Sequence, residues 1–232
     1  VWIKGSEIIK DWEKVEGNVW KVTLPNSFFG NYNPYKVLIE GDWFDGRGRE
    51  HHTGEVFLNG KSLFEKPILD EVLNPVVFED ARNKEASLYT WYCESDKKTT
   101  TIWANFQKFN PNEEMVEISV RPACFYPDKP RRNYITIRGF HIGQAATQWA
   151  PPTAEQIGMI GTHWSKGWVI EDNEISNSKC SGITLGKDRA TGQNVWSNDR
   201  SKGGDIHYNE VIVRAINIGW SKENIGSHIV RN

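Results

Sequence analysis

The second half of this chain carries a thin, regularly punctuated hydrophobic pattern. GTHWSKGWVIEDNEISNSKCSGITLGK, from Gly161 to Lys187, sets single Ile and Leu residues among Gly, Asn and Ser. From GMIG to GITLG, Gly158 to Gly182 is a step of 24 residues, and NYITIRGFHI supplies another isolated strand just before. IGMIGTHWSKGWVIEDNEI also aligns loosely with AINIGWSKENIGSHIVRN. Gly161, Trp164, Ser165 and Lys166 recur as Gly219, Trp220, Ser221 and Lys222, and Ile170 with Asn173 recurs as Val230 with Asn232. A period in the low twenties built from very short strands predicts a parallel β-helix. Each coil would send alternate side chains such as Ile183 and Leu185 into a narrow core. Gly and Asn would take the left-handed corners, with Asn stacking on Asn in adjacent coils. The plainer alternative is a sheet continuing from the first half.

That first half reads differently. From about Gly5 to Pro130, GNVWKVTLP, PYKVLIEG, EVFLNGKSLFE, SLYTWYCE, TTTIWANF and MVEISVRP alternate at period two between turn residues. Asn59-Gly60, between two apolar runs, predicts a two-residue hairpin, and a second turn falls at Ser95 to Lys98. The expected fold class is therefore all-β: a partial right-handed parallel β-helix with an inserted antiparallel β-sandwich. Residues 1–5 would be a β-helix strand, 6–130 the sandwich and 131–232 the coils. An open coil end would bare apolar side chains at a cost on the order of 10 kcal/mol. The reading therefore expects a piece of a longer β-helix that continues past residue 232.

Composition narrows the partners. Twenty-eight basic against 30 acidic residues, a net charge of −2, provide no basic stripe for nucleic acid, and no apolar run spans a membrane. Cys93, Cys124 and Cys180 lack metal-ligand spacing and read as buried thiols, and no metal or cofactor is expected. Eleven Trp in a chain of mean hydropathy −0.59 serve core packing, yet such rings also stack on sugar faces.

GDWFDGRGREHHTGEVFLNGKSLFE, ANFQKFNPNEEMVEISVR, the run from NYITIRGFHIGQAATQWAPPTAEQ to LGK, and VWIKGSE together resemble glycoside hydrolase family 120. The resemblance covers nearly the whole chain. It implies a retaining exo-acting β-xylosidase cleaving xylobiose and xylo-oligosaccharides, with an Asp nucleophile and a Glu acid/base on the β-helix and the sandwich leaning over the pocket. Nothing here matches the coil motifs that hold that pair in the family, so both are expected beyond residue 232. The catalytic set within this chain is accordingly empty, and the segment alone is expected to be inactive. The implied partners are an oligosaccharide substrate and the remaining β-helix; a homo-oligomer is left open, since the sequence does not give the oligomeric state.

Substrate contacts are sought in polar loops. Glu171, Asp172 and Glu174 read as a solvated outer face, since strand neighbours alternate in and out. In GDWFDGRGREHH, Trp43 would stack on a sugar and His51 and His52 bond its hydroxyls; an ordinary polar loop accounts for them as well. In QWAPPTAEQ, Gln148, Trp149, Glu155 and Gln156 offer amides, a ring and a carboxylate, against a bracing role. His163 and Trp164 line the groove or brace the sandwich. The excursion Asp188 to Glu210, with Trp196, reads as a surface loop.

Two other classes compete. One is a carbohydrate-binding module without catalysis. The other is a β-helix lyase or polygalacturonase, for which residues 131–232 show neither a calcium-binding acidic cluster with a base nor a tight set of aspartates.

Overall fold

TTTIWAN alternates as a half-buried strand should. In the computed structural model, which describes residues 1–41, 44–129, 131–149, 157–163, 165, 167–185 and 229–231, it forms the strand Thr99–Asn105 with Thr100, Ile102 and Ala104 buried. The described chain is mainly β, arranged in several small sheets. It divides into two units: Ser6–Leu38 with Gly46–Arg121, and Val1–Gly5 with Ile39–Asp45 and Pro122–Asn232.

The first unit has two sheets around one apolar core. A five-stranded sheet runs in the order Glu13–Glu16, Val19–Pro25, Thr99–Asn105, Thr90–Ser95, Phe64–Glu65, antiparallel except for the last pair. A four-stranded antiparallel sheet runs in the order Ser6–Ile8, Val116–Ser119, Val56–Leu58, Lys61–Ser62. Val22, Trp91, Ile102 and Ala104 from one sheet share a core with Val56, Leu58, Val116 and Ile118 from the other. Large rings fill the space between. Trp91 meets Tyr35 edge-on at 5.6 Å and Trp12 meets Phe106 at 5.1 Å, geometries that aromatic quadrupoles favour.

Both expected turns form. Asn59 and Gly60 have φ of 52° and 78°, the left-handed pair that a two-residue hairpin requires. At the second turn, Asp96 Oδ1 accepts the backbone N–H groups of Lys98 at 2.6 Å and Thr99 at 2.7 Å. Helical structure among the described residues is limited to four-residue turns at Asn26–Phe29, Asp70–Leu73 and Glu85–Leu88, and no helix is long and apolar enough to cross a membrane.

The second unit is built from parallel ladders of very short strands. Trp2–Lys4, His141–Gly143 and Glu174–Ser176 form one; Thr136–Arg138, Val169–Glu171 and Ile229–Arg231 another; Ile160–Gly161 and Ile183–Thr184 the third. Ile137, Ile142, Met159, Ile160, Trp168 and Ile170 are buried together, and Ile183 and Leu185 pack against them half-buried. The rungs sit close: a Cβ on Gly5 would lie 2.5 Å from the Cα of Ala145, so only glycine fits there.

The step along these ladders differs from the expected value. It is 33 residues from Thr136 to Val169 and from His141 to Glu174, and 23 from Ile160 to Ile183. The longer step arises between Gly143 and Ile160, where one turn of the chain spends ten residues more than the equivalent passage from Ser176 to Ile183. The aligned Ile170 and Val230 do meet as partners in register, while Trp164, Lys166, Gly219, Trp220, Ser221, Lys222, Asn232 and the excursion Asp188 to Glu210 lie outside the described residues.

Two acids of the outer face are exposed as expected, Asp172 and Glu174, and each lies beside a base: Arg138 pairs with Glu171 and Asp172 at 3.5 and 3.4 Å, and His141 Nδ1 lies 2.9 Å from Glu174. The side chain of Glu171 is only 11 % exposed, because its rung places it directly beside Arg138. Asn232, the expected echo of Asn173, lies outside the described residues, and on its described side Asn173 meets no like residue. Its neighbour one step back is Phe140, so it donates to the Ile137 carbonyl at 2.9 Å and accepts the Phe140 N–H at 3.1 Å, bonding corner to corner through the backbone. Of the cysteines only Cys93 is buried. Cys124 and Cys180 are half-buried on loops beside the ladders, and all three thiols are unbridged.

The two N–H groups on Asp96 stabilise its carboxylate and hold its pKa below the ordinary 3.8. A depressed folded-state pKa stabilises the fold fully above the unfolded value and loses that contribution as pH falls through the lower folded value. Asp96→Ala is therefore expected to lower the denaturation midpoint at pH 7 and to have a shrinking effect as pH falls below the ordinary 3.8, measured by urea titration across pH.

Candidate functional site

His51 and His52 stand in a segment held from both sides. Thr53 donates its N–H to the Val37 carbonyl and its hydroxyl accepts from Tyr32 at 2.9 Å; the Gly54 N–H reaches the Pro34 carbonyl. The Tyr35 ring lies flat against Gly54, where a Cβ would come within 2.7 Å, and its hydroxyl donates to the Glu55 carbonyl at 2.8 Å. Burial, ahead of the nearby Cys93 and Glu55, pushes the Tyr35 phenol well above its usual range, so it remains a donor at neutral pH.

Into this frame comes a carboxylate from a distant strand. Glu65 is 6 % exposed, and its Oε1 accepts both the His52 N–H at 2.9 Å and His52 Nδ1 at 2.8 Å. An ionised carboxylate only accepts, so Nδ1 carries the proton. That contact fixes the ring and leaves Nε2 as its second polar atom. His51 is turned the other way. Its Nε2 lies 3.1 Å from the Gly46 carbonyl, to which it donates, with Nδ1 4.0 Å from Glu65. Arg49 donates to the backbone carbonyl of Glu65 at 3.0 Å.

In the parallel-ladder unit a second group gathers aromatic surface. Gln148 and Trp149 follow the buried run Gln144 to Thr147, both half-buried, and the Trp149 ring lies 6.4 Å from Phe44 at 45°. His163 has φ of 46° and stacks on Tyr126 at 4.7 Å, while its Nδ1 meets the Pro127 carbonyl at 2.7 Å. Gly161 makes this possible, since a Cβ there would lie 2.7 Å from the Tyr126 ring. His163 is thus pinned by a ring and a carbonyl, which fixes its orientation.

The sequence placed Trp43, Glu155, Gln156 and Trp164 in the site, and all four lie outside the described residues. Glu65 and Tyr126 were missed. Glu65 is 13 residues from His52 with an unremarkable acidic side chain, and only the strand pairing beside Trp91 carries it there. Tyr126 gave no signal either: that Gly161 lacks a left-handed φ and instead admits the Tyr126 ring is seen only in the structure. Among the described residues no group of His, Cys, Asp and Glu is arranged to hold a metal.

Removing the Glu65 carboxylate leaves two His52 donors short of an acceptor. Glu65→Ala is expected to cost about 1–3 kcal/mol in chemical denaturation and Glu65→Gln less. The His52 ring is 6.5 Å from that of Trp91, so the near-UV circular dichroism should change in the alanine variant.

Residues 9–118 match the family model described as glycoside hydrolase 120, insertion domain. A solved structure described as the complex structure of XylC with xylose is 49% identical over 99% of this chain, with a TM-score of 0.90. The chain spans 38% of that structure's length. No curated protein matches significantly.

Proposed function

Residues 9–118 being a glycoside hydrolase 120 insertion domain, we propose that the chain forms part of a retaining exo-β-xylosidase acting on xylobiose and xylo-oligosaccharides. The observation that carries this is the 49% identity along 99% of the chain to a protein solved with xylose. In this reading the parallel ladders are coils of a right-handed β-helix and residues 6–130 are a β-sandwich inserted into it. The three ladders of in-register rungs support the coils, and two sheets sharing one core support the sandwich.

The catalytic Asp and Glu are assigned to the sequence following residue 232. A retaining pair stands about 5 to 5.5 Å apart, the ionised carboxylate attacking the anomeric carbon while the protonated one gives its proton to the leaving oxygen. Water then releases the sugar, with the second carboxylate acting as base. This chain contributes a wall of the pocket. Trp43, Trp149 and Trp164 supply ring faces; His51, His52, Gln148, Glu155, Gln156 and His163 supply groups for the sugar hydroxyls. The pinned rings of His52 and His163 support this role, because a donor or acceptor fixed in advance loses little entropy on binding.

The full-length protein is expected to hydrolyse p-nitrophenyl β-xyloside, and the 232-residue chain alone to show no turnover. Comparable activity in the isolated chain would sink the placement of the catalytic pair. In the full-length protein, Trp149→Ala should raise KM roughly five- to tenfold through lost stacking, with kcat less affected, in steady-state assays.

A further inference from the structure

We propose that the antiparallel unit carries a second saccharide site, taking a sugar ring that bears a carboxylate, in a cavity walled by Tyr89 and Phe109 and flanked by Lys61 and Lys108. The cavity, about 280 Å³, opens beside the Asn59-Gly60 hairpin and the turn Glu85–Leu88. Every residue lining it belongs to the one unit, and none is among the groups assigned to the xylosidase pocket.

The walls suit a pyranose. Tyr89 and Phe109 stand 6.3 Å apart at 40°, two adjoining rings that both line the cavity and are partly buried against the core. A sugar ring offers axial C–H groups to such faces and hydroxyls to the rim. At the rim stand polar groups that the fold leaves uncommitted. The Tyr89 hydroxyl, the Lys61 ammonium and the Glu85 carboxylate make no hydrogen bond among the described residues. Asn83 uses its carbonyl oxygen to cap the Ala86 N–H at 3.1 Å, which fixes the amide and leaves its NH₂ to donate. Burial, and then Glu85, push the Tyr89 phenol up, so its hydroxyl is a donor throughout the neutral range.

Charge selects among sugars. Lys61 and Lys108 set two ammonium groups against the single carboxylate of Glu85, and Lys108 is held over the Phe109 face at 5.5 Å. A carboxylate on the bound ring meets two ammonium groups and one carboxylate in the lining, the nearby Glu114 being engaged by the Asn59 amide at 2.8 Å, while a neutral ring meets only the walls and the amide. The volume lies at the small end for ligand pockets, about 300–1,000 Å³, which suits one ring rather than an extended chain. A uronic acid carried as a side group on a xylo-oligosaccharide has this form. The choice of backbone sugar rests on the glycosidase reading, but the site does not.

The test is a titration of the 232-residue chain with a glucuronic-acid-substituted xylotriose and with plain xylotriose, followed by isothermal calorimetry and saturation-transfer NMR. The acidic ligand should bind at least about fivefold tighter, with transfer strongest to the uronic ring, and the preference should shrink in 0.5 M salt. Lys108→Gln should remove most of the preference and Phe109→Ala should abolish uronic-ring transfer. Tyr89→Phe, which preserves the packing, should weaken binding severalfold. Absence of binding at millimolar ligand, equal affinity for the neutral trisaccharide, or uronic-ring transfer surviving Phe109→Ala would each overturn the proposal. Binding is read here without turnover, so this site and the xylosidase reading can fail independently.

Discussion

The pairing of Trp2 with His141, and of His141 with Glu174, is the constraint on which the rest depends. It joins a three-residue strand at the start of the chain to one 139 residues later, in register and parallel. Strands this short have little stability singly; they persist because each has a neighbour on the ladder and a share of the narrow core behind it. Everything between residues 5 and 141 must therefore leave and return without disturbing one rung. Such long-range closure also places the loop entropy ahead of the contacts that reward it, so the antiparallel unit is best formed as a body of its own.

The two units bury their surface by different means. The antiparallel unit relies on large rings, with Trp12, Phe29, Tyr35, Trp91 and Phe106 filling the space between two sheets. The ladders rely on repetition. Their core is a column of Ile residues with Trp168 and Met159, and their outer face is laced by Arg138 with Glu171 and Asp172, and by His141 stacked on Trp2 and paired with Glu174. Such exposed pairs contribute at most about 1 kcal/mol each, so they set register more than stability. What holds the rungs is the backbone ladder and the close approach that Gly5 and Gly161 permit.

Much of this was legible from residue types. The alternation of TTTIWAN, the Asn59-Gly60 turn and the echo of Ile170 in Val230 are local or periodic signals, and each corresponds to an observed strand, turn or rung. The period was read as one number because Gly158 and Gly182 happen to flank the short step, while the ten extra residues after Gly143 fall in a segment without its own pattern. The same 33-residue step puts Phe140 opposite Asn173, so the Asn bonds backbone on that rung. The candidate histidines were visible, but the groups that orient them were not. Glu65 reaches His52, and Tyr126 reaches His163, through pairings whose partners are set by the fold rather than by spacing.

One feature of the antiparallel unit bears on how such a protein is assembled from parts. Its first strand and its last lie side by side, Ser6 opposite Ser119, with Glu7 and Arg121 joined by an ion pair at the same end. Entry and exit are therefore separated by about the width of one strand pair, ~5 Å. Ends that near close the unit at its own neck, so its strands could lengthen or shrink without changing the passage from Gly5 to Pro122. Only Ile39–Asp45, which the chain spends in the other unit, ties its interior to anything outside.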